Sequence, residues 1–304
     1  MFANRPNFFH TITLGDYMFR IFSFKQVAVT AVILCILMII GAVLNTFTPY
    51  IAVFSQTQAE IPIIMYHQIS ENESIFGDYV IPTALLKSDF QYMKENGITP
   101  ISFADASDFV KTGKKLPKNP VIITFDDGER SFLTKVVPLL EEFRYHANIN
   151  IVGALVDLYT ENGDTDDRYA YLNNADIKIL SENPLVELGC HSYNLHSLSE
   201  RRGMGKLYGE SDEDYKKIIE EDINKFNEKI KNLIGNVPTI LAYPYGIRND
   251  ILFNFAKQSG FTVTLTCREA VNKITVGGDL YELGRYNRPY GKTSKEFFDK
   301  IYSR

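Results

Sequence analysis

The chain has 304 residues, which is enough for one large domain or two small ones. Its composition, 45% hydrophobic and 23% charged, is typical of a globular protein with a sizeable core. The net charge of −5 gives no basic excess that could neutralise phosphates, so nucleic acid is not an expected partner, and three scattered cysteines are too few for a disulfide framework.

The first recognisable element is an uncharged apolar segment at residues 27–44 (VAVTAVILCILMIIGAVL). A helix needs roughly 20 mostly apolar residues to cross a bilayer, and no charged residue occurs between Lys25 and Glu60. Lysine and arginine precede the segment, whereas acidic residues are the first charges after it. This asymmetry predicts a single-pass cell-membrane protein with a cytoplasmic N-terminus and its remaining residues outside.

Domain boundaries follow from this interpretation. Residues 1–26 would be a cytoplasmic tail, 27–47 a transmembrane anchor, 48–60 a linker and 61–304 a single outer domain. A cleavable signal peptide is the alternative, because a weak small-residue cleavage pattern ends at Ala59. The long region before the apolar run favours an anchor that stays attached.

Apolar runs typical of buried strands recur along the outer domain. Between them, apolar residues recur at the spacing of one face of a helix. The runs are Ile61–Tyr66, Val121–Phe125, Ile149–Val152, Val186–Cys190, Ile240–Tyr243 and Phe261–Leu265. These predicted helices contain Phe90 and Met93, residues Val136 to Phe143, and residues Ile218 to Ile230. Buried strands separated by helices predict a mostly parallel sheet. We therefore expect an α/β fold, a distorted (β/α) barrel preceded by one transmembrane helix, with a doubly wound open sheet as the alternative.

Parallel sheets place active sites at the carboxyl ends of their strands, and the strand Val121–Phe125 ends in Asp126-Asp127-Gly128. A glycine lets the backbone bend, so that both carboxylates can face one site. Repulsion between them and a nearby cation would separate their roles, one binding a metal and the other accepting a proton. The alternative is a solvated turn, since Asp and Gly favour turns.

Two of the five histidines, His191 and His196, follow the strand Val186–Cys190. Imidazole is a common ligand for zinc, and a loop lets two side chains converge on one ion. Two histidines and one aspartate would form a facial set that leaves positions open for water and substrate. A pair of surface histidines is the alternative.

Three motifs together carry a family resemblance: TFDDG at Thr124–Gly128, HSYNLH at His191–His196 and YPYG at Tyr243–Gly246. They resemble the polysaccharide deacetylases of the NodB-homology type, carbohydrate esterase family four. The segment PIIMYHQIS at Pro62–Ser70 and the five-residue step between the histidines are similar to the poly-N-acetylglucosamine deacetylase branch. The resemblance covers about residues 61–304, which it identifies as a polysaccharide deacetylase domain.

The resemblance implies a general base, Asp126, and a metal site formed by Asp127, His191 and His196. Zinc is the expected divalent ion, and cobalt, nickel and manganese tolerate the same ligands. The implied reaction is metal-dependent hydrolysis of N-acetyl groups on N-acetylglucosamine residues of an extracellular or cell-wall polysaccharide. A polysaccharide O-acetyl esterase and a non-catalytic glycan-binding domain are the alternatives.

The resemblance also implies that His67 is the general acid and that the backbone N–H of Tyr245 binds the oxyanion. Two departures affect this assignment. Many members have an arginine at the position of Ala242, and the late Leu-x-His motif is absent because no histidine follows His196. Arg285 could orient the base in place of the missing arginine, with a surface ion pair as the alternative.

Two further expectations concern side chains near these motifs. The chain has no tryptophan, so stacking on sugar rings would depend on tyrosine and phenylalanine, with Tyr193, Tyr243 and Tyr245 as candidates by position. Cys190 and Cys267 are expected to be buried small residues.

Overall fold

The computed structural model describes residues 24–53 and 56–302. The chain divides into two compact units, one up to Ser55 and one from Gln56 onward. Most of the predicted cytoplasmic tail lies outside the described residues.

The predicted anchor region forms a helix, α1 (Phe24–Val53), which extends beyond the predicted limit into residues assigned to the linker. Large apolar side chains between Val29 and Val43 are exposed. In residues 24–53 and 56–302, however, we find no helix whose length and apolar character suffice to cross a membrane. The transmembrane anchor is therefore not confirmed and stays a prediction.

The second unit alternates strands and helices, as the sequence predicts. Its strands are β1 (Gln58–Ile61), β2 (Ile63–Tyr66), β3 (Gln68–Ile69), β4 (Val80–Ile81), β5 (Thr99–Pro100), β6 (Pro120–Phe125), β7 (Ala147–Ile151), β8 (Val186–Cys190), β9 (Ile240–Ala242), β10 (Val263–Leu265), β11 (Asn272–Thr275), β12 (Leu280–Leu283) and β13 (Tyr286–Asn287). Its helices are α2 (Thr83–Glu95), α3 (Phe103–Thr112), α4 (Val137–Phe143), α5 (Gly153–Asn162), α6 (Asn174–Glu182), α7 (Asp212–Ile234), α8 (Asp250–Gln258) and α9 (Ser294–Tyr302).

The main sheet runs in the order β12-β10-β9-β8-β7-β6-β2-β13, and its neighbouring strands are parallel. The two end strands, β12 and β13, are separated in the chain only by Gly284 and Arg285. The two edges of the sheet are therefore adjacent in space, and the sheet forms a distorted barrel. The predicted parallel α/β barrel is confirmed.

One predicted boundary differs from the structure. Gln58, Ala59 and Glu60, which the sequence assigned to a linker, belong to β1 and pair antiparallel with β11. Ala59 and Ile61 are buried on this strand, because alternate residues face the core. The second unit thus begins with an ordered strand before the first barrel strand.

Alternation along β6 decides which side chains enter the barrel. Val121, Ile123 and Phe125 belong to the apolar core that the helices cover, whereas Ile122 belongs to a second cluster with residues of β2, β9 and β10. Successive side chains of a strand point to opposite faces. Asp126 lies four residues beyond Ile122 and so continues the inward-facing row at the carboxyl end of the strand.

Helix α7 is anchored firmly beside the barrel. Its acidic first turn suits the positive end of the helix dipole, and its N-cap Ser211 accepts a hydrogen bond from the Asp214 N–H. A stripe of buried residues, including Ile219, Ile223 and Phe226, packs into the core. This rigid placement matters because α7 contacts the loop that carries the two histidines.

Candidate active site

Three loops at the carboxyl ends of β6, β8 and β9 contain residues with left-handed backbones. They are Asp127 (φ 70°), Ser192 (φ 74°) and Tyr245 (φ 57°). Such conformations cost of order 1–3 kcal/mol for residues other than glycine and persist where the surroundings over-determine them. They are three of the six non-glycine residues with a positive φ in the described part of the chain, and all three belong to loops that carry predicted site residues, which indicates a functional site there.

The turn after β6 brings both predicted aspartates into the barrel mouth. Asp127 itself takes the left-handed conformation, and Gly128 follows with a φ of 79°. A Cβ atom on Gly128 would lie 3.3 Å from the Ile151 side chain and 3.4 Å from its Cα. The bend therefore needs glycine at this position for both its conformation and its close packing.

Asp127, His191 and His196 converge, with one ligand atom of each lying within 4.8 Å of the others. The Asp127 Oδ1 atom is 3.4 Å from the His191 Nε2 atom and 3.1 Å from the His196 Nε2 atom. Two atoms that each lie about 2.0–2.1 Å from a tetrahedral zinc ion are about 3.3 Å apart. The two distances to Asp127 thus match the separation of ligands on one metal ion.

The tautomer of His191 supports the same interpretation. Its Nδ1 atom lies 2.8 Å from the carbonyl oxygen of Ala242, which can only accept a hydrogen bond, so Nδ1 carries the proton. In the neutral ring the Nε2 lone pair then faces the carboxylate of Asp127. Two facing acceptors need a proton or a metal cation between them, and the backbone bond at Nδ1 is typical of metal-ligating histidines.

Asp126 is held by a buried bidentate ion pair. Arg285 donates from Nη1 to Oδ1 and from Nη2 to Oδ2, each at 2.7 Å, and its Nε donates to the Thr266 carbonyl at 3.0 Å. The Asn150 amide also donates to Asp126 Oδ1, at 2.8 Å. Arg285 is fully buried, so it is not a surface arginine.

The charges in this cluster are set by burial and by these partners. Burial raises the pKa of Asp126, but the Arg285 guanidinium outweighs it and holds that pKa below its usual value. For Asp127, burial is likewise outweighed, by the neighbouring imidazoles of His191 and His196, so its pKa is also lowered. Burial lowers the pKa of His191, but Asp126 and Asp127 together raise it.

His67 lies beside the two aspartates at the end of β2. Its Nδ1 atom is buried and has no hydrogen-bond partner among the described residues, and its ring meets the Tyr79 ring edge-on at 4.8 Å. Burial lowers the pKa of His67, while the charges of Asp126 and Asp127 partly oppose the shift. The side chain is therefore predominantly neutral at pH 7.

Tyr245 closes the site on the side of β9. Its ring stacks on the His196 ring with centroids 4.9 Å apart. Of the other tyrosines considered for sugar stacking, Tyr243 is fully buried, which excludes it. Tyr193 is partly buried, and its hydroxyl donates to Asp157 at 2.6 Å.

Asn150 is a site residue that the sequence analysis did not find. It lies on β7 two residues after Asn148, and both are fully buried with side chains on the same face. Gly189 makes room, since a Cβ there would lie 2.0 Å from the Asn150 Oδ1 atom. Two asparagines at alternate positions of an otherwise apolar strand were the sequence signal that could have identified Asn150.

The cysteines differ from the expectation in one respect. Cys190 is buried as predicted, whereas Cys267 is exposed, with its sulfur 4.0 Å from that of Met65. The exposure arises because Cys267 follows the end of β10, at the mouth of the barrel. All three cysteines are free thiols.

The α/β barrel, with an Asp-His-His cluster and an arginine-paired aspartate at its mouth, places the chain in a class of barrel-fold hydrolases. Over residues 113–264 the chain matches the family described as polysaccharide deacetylase. It belongs to that family, as the TFDDG and HSYNLH motifs predict.

Two curated relatives carry the same name, poly-beta-1,6-N-acetyl-D-glucosamine N-deacetylase. The Escherichia coli (strain K12) protein is 28% identical over 257 residues, which cover 78% of this chain and 38% of that protein. The Staphylococcus aureus (strain MSSA476) protein is 24% identical over 208 residues, which cover 68% of this chain and 67% of that protein. The chain thus spans well under half of the length of the E. coli relative.

Solved structures agree on the fold. A de-N-acetylase from Aggregatibacter actinomycetemcomitans superposes with a TM-score of 0.68 at 25% identity, covering 79% of this chain and all of that one. IcaB from Ammonifex degensii superposes with a TM-score of 0.64 at 21% identity, covering 76% of this chain and 92% of that one.

Proposed function

We propose that this chain is a metal-dependent N-deacetylase that hydrolyses the acetamide of N-acetylglucosamine residues in a β-1,6-linked polysaccharide. The convergence of Asp127, His191 and His196 beside the Asp126–Arg285 pair carries the proposal. The names of the E. coli and S. aureus relatives support the choice of an amide over an ester and of poly-N-acetylglucosamine over other glycans.

Asp127, His191 and His196 would hold the metal ion, because the Asp127 Oδ1 atom lies 3.4 Å and 3.1 Å from the two imidazole Nε2 atoms, close to the separation of two ligands on one zinc ion. Nitrogen and carboxylate donors suit zinc first, with cobalt, nickel and manganese as alternatives. When bound, such an ion lowers the pKa of coordinated water and polarises a carbonyl oxygen.

Asp126 is the general base that takes a proton from the attacking water. Its lowered pKa keeps the carboxylate ionised at neutral pH, which is the form that a general base requires. The two Arg285 hydrogen bonds and the Asn150 amide fix its orientation, which removes the cost of arranging the base during the reaction.

His67 protonates the leaving amine, and the backbone N–H of Tyr245 donates to the oxyanion of the tetrahedral intermediate. His67 lies close enough to Asp126 and Asp127 for their charges to affect its pKa. An acid whose pKa is lowered by burial gives up its proton readily once protonated. The stacking of Tyr245 on His196 keeps its backbone next to the metal ligands.

We also propose that the deacetylase domain acts outside the cytoplasmic membrane. The proposal rests on the lysine and arginine residues that precede the apolar segment at 27–44 and on the acidic residues that follow it. Protease added to intact cells should degrade the domain. Protection of the domain in intact cells, and its degradation only after lysis, would contradict this location.

The test of the activity uses the purified full chain, poly-β-1,6-N-acetylglucosamine and an O-acetylated glycan. The proposal predicts acetate and an equal amount of new free amine from the first polymer, loss of both with a chelator, and recovery on adding zinc or cobalt. Acetate from the O-acetylated glycan alone would identify an esterase. Glycan binding without acetate release, with metal present, would identify a binding domain.

A further inference from the structure

A loop of four residues, 192–195, separates the two histidines of the metal site. The carboxylate of Asp222, on α7, accepts hydrogen bonds from this loop: the Tyr193 N–H at 2.8 Å on Oδ1 and the Asn194 N–H at 2.7 Å on Oδ2. The Leu195 N–H also donates to it. One carboxylate therefore binds three successive backbone donors between His191 and His196.

The opposite side of the same loop is held by the start of α5. The Gly153 N–H donates to the Ser192 carbonyl at 3.1 Å, and the Ala154 N–H donates to the Tyr193 carbonyl at 2.7 Å. A Cβ on Gly153 would lie 2.6 Å from the Tyr193 ring, so the two segments pack without spare room. The loop is clamped between α5 and α7.

This clamp acts against backbone strain. Ser192 has a φ of 74°, a conformation that a residue with a Cβ keeps only when its surroundings impose it. Hydrogen bonds to an ionised acceptor are roughly twice as strong as those between neutral groups. Burial raises the pKa of Asp222, whereas the three backbone hydrogen bonds of the loop and the nearby charge of Lys225 favour its ionised form. Both carboxylate oxygens accept hydrogen bonds from the loop.

We infer that Asp222 is a positioning residue for the metal site, which fixes the distance and orientation of His196 relative to His191 through the backbone of residues 193–195. The inference rests on the proposed metal-binding role of the two histidines. Asp222 does not contact them directly, and its effect reaches them through the peptide units it orients. The rigid packing of Ile219, Ile223 and Phe226 gives the carboxylate its fixed position.

The test measures the cobalt affinity of the full chain by competition with a chromophoric chelator, and records the visible spectrum of the bound cobalt. Asp222→Asn keeps the shape but replaces one acceptor oxygen by an NH₂ group that faces backbone donors. Loss of a residue that orients metal ligands typically weakens metal affinity about 10–100-fold. We expect a loss of at least about 10-fold, with an altered cobalt spectrum.

Glu221→Gln is the matched control. Glu221 is the neighbouring residue on the same helix, is exposed and lies 3.9 Å from Lys217, so its neutralisation should leave cobalt affinity and spectrum unchanged. A second perturbation, Gly153→Ala, pushes on Tyr193 from the other side while leaving Asp222 intact, and should also weaken cobalt binding.

Affinities are compared at a temperature where circular dichroism finds each metal-free variant folded. Parent-like affinity and spectrum in folded Asp222→Asn would overturn the inference, because Asp222 would then contribute to stability alone. Failure of the parent chain to bind cobalt would overturn the proposed metal site itself, and the inference with it. The two failures are distinguished by the parent's own titration.

Discussion

Two arginines that lie three residues apart, Arg285 and Arg288, form buried bidentate pairs with aspartates from distant parts of the chain. Arg285 binds Asp126 with two bonds of 2.7 Å, and Arg288 binds Asp89 with bonds of 2.8 and 2.9 Å. All four residues are buried. The chemistry of the two pairs is the same, so any difference in role must come from their surroundings.

The Asp89 pair is completed by structural partners. Asp89 accepts the Tyr66 hydroxyl at 3.1 Å, and Arg288 donates to the carbonyls of Pro289 and Lys292. The Asp89–Arg288 pair thereby joins α2, β2 and the segment before α9. The Asp126 pair instead stands beside His67 and the metal ligands, at the barrel mouth. A buried ion pair thus stabilises a fold in one place and orients a candidate base in the other.

The largest expected effect is on the histidines. His191→Ala and His196→Ala should each lose bound metal and nearly all activity, because either change leaves two ligands, too few for a stable site. Metal analysis of the purified variants, with acetate release measured in parallel, tests this. His146→Ala, at a histidine outside the site, should keep both properties. Full metal occupancy in both site variants would refute the ligand assignment.

The next effect separates the two ion pairs. Asp126→Asn and Asp89→Asn each leave a buried arginine without its carboxylate, so both should lower the free energy of unfolding by about 3–5 kcal/mol. Only Asp126→Asn should also reduce kcat, by about 10²–10⁴-fold, as expected for loss of a general base. Urea unfolding and acetate release measure the two quantities. A comparable fall in kcat per folded molecule in Asp89→Asn would erase the distinction.

His67→Gln probes the general acid. Activity that needs protonated His67 falls as pH rises through its pKa, and burial moves that pKa below its ordinary value. We expect Gln, which cannot supply the proton, to lower kcat by about 10²-fold and to remove the fall at high pH. The measurement is the pH profile of kcat/KM, whose limbs report the coupled titration of the site. An unchanged high-pH limb would exclude His67 as the acid.

A smaller effect concerns stability in acid. Because the folded pKa of Asp126 lies below its unfolded value of about 3.9, the pair contributes stability above that pH and loses it as pH falls. The free energy of unfolding of the metal-free parent should therefore fall more steeply below about pH 4 than that of Asp126→Asn. The difference is at most about 1.4 kcal/mol per pH unit. Equal slopes would contradict the low pKa.

Much of the fold follows from local sequence. Uninterrupted apolar runs predicted the central strands because parallel strands are covered on both faces. The strand β1 was missed, since its short half-polar sequence QAEI looks like a linker and is stabilised only by pairing with β11, more than 200 residues away. Long-range pairing leaves no local pattern.

The site was predictable where its residues follow strands and form motifs. Asp126, Asp127, His191 and His196 satisfy both conditions, and the structure brings them together. Asn150 lies inside a strand, and Asp222 acts from the middle of a charged helix whose pattern resembles an ordinary solvated face. Their roles depend on the partners that the fold places beside them, a carboxylate for Asn150 and backbone N–H groups for Asp222. These long-range contacts cannot be read from residue spacing in the sequence.

The division of labour between the adjacent aspartates is the central claim, and one comparison tests it most directly. Asp126→Asn and Asp127→Asn are purified in parallel, and bound zinc and acetate release from poly-β-1,6-N-acetylglucosamine are measured for each. We predict that Asp127→Asn loses zinc, since an amide oxygen is a poorer ligand than a carboxylate, while Asp126→Asn keeps zinc and loses turnover. If Asp126→Asn loses zinc and Asp127→Asn retains it, the two roles are reversed and the account is wrong.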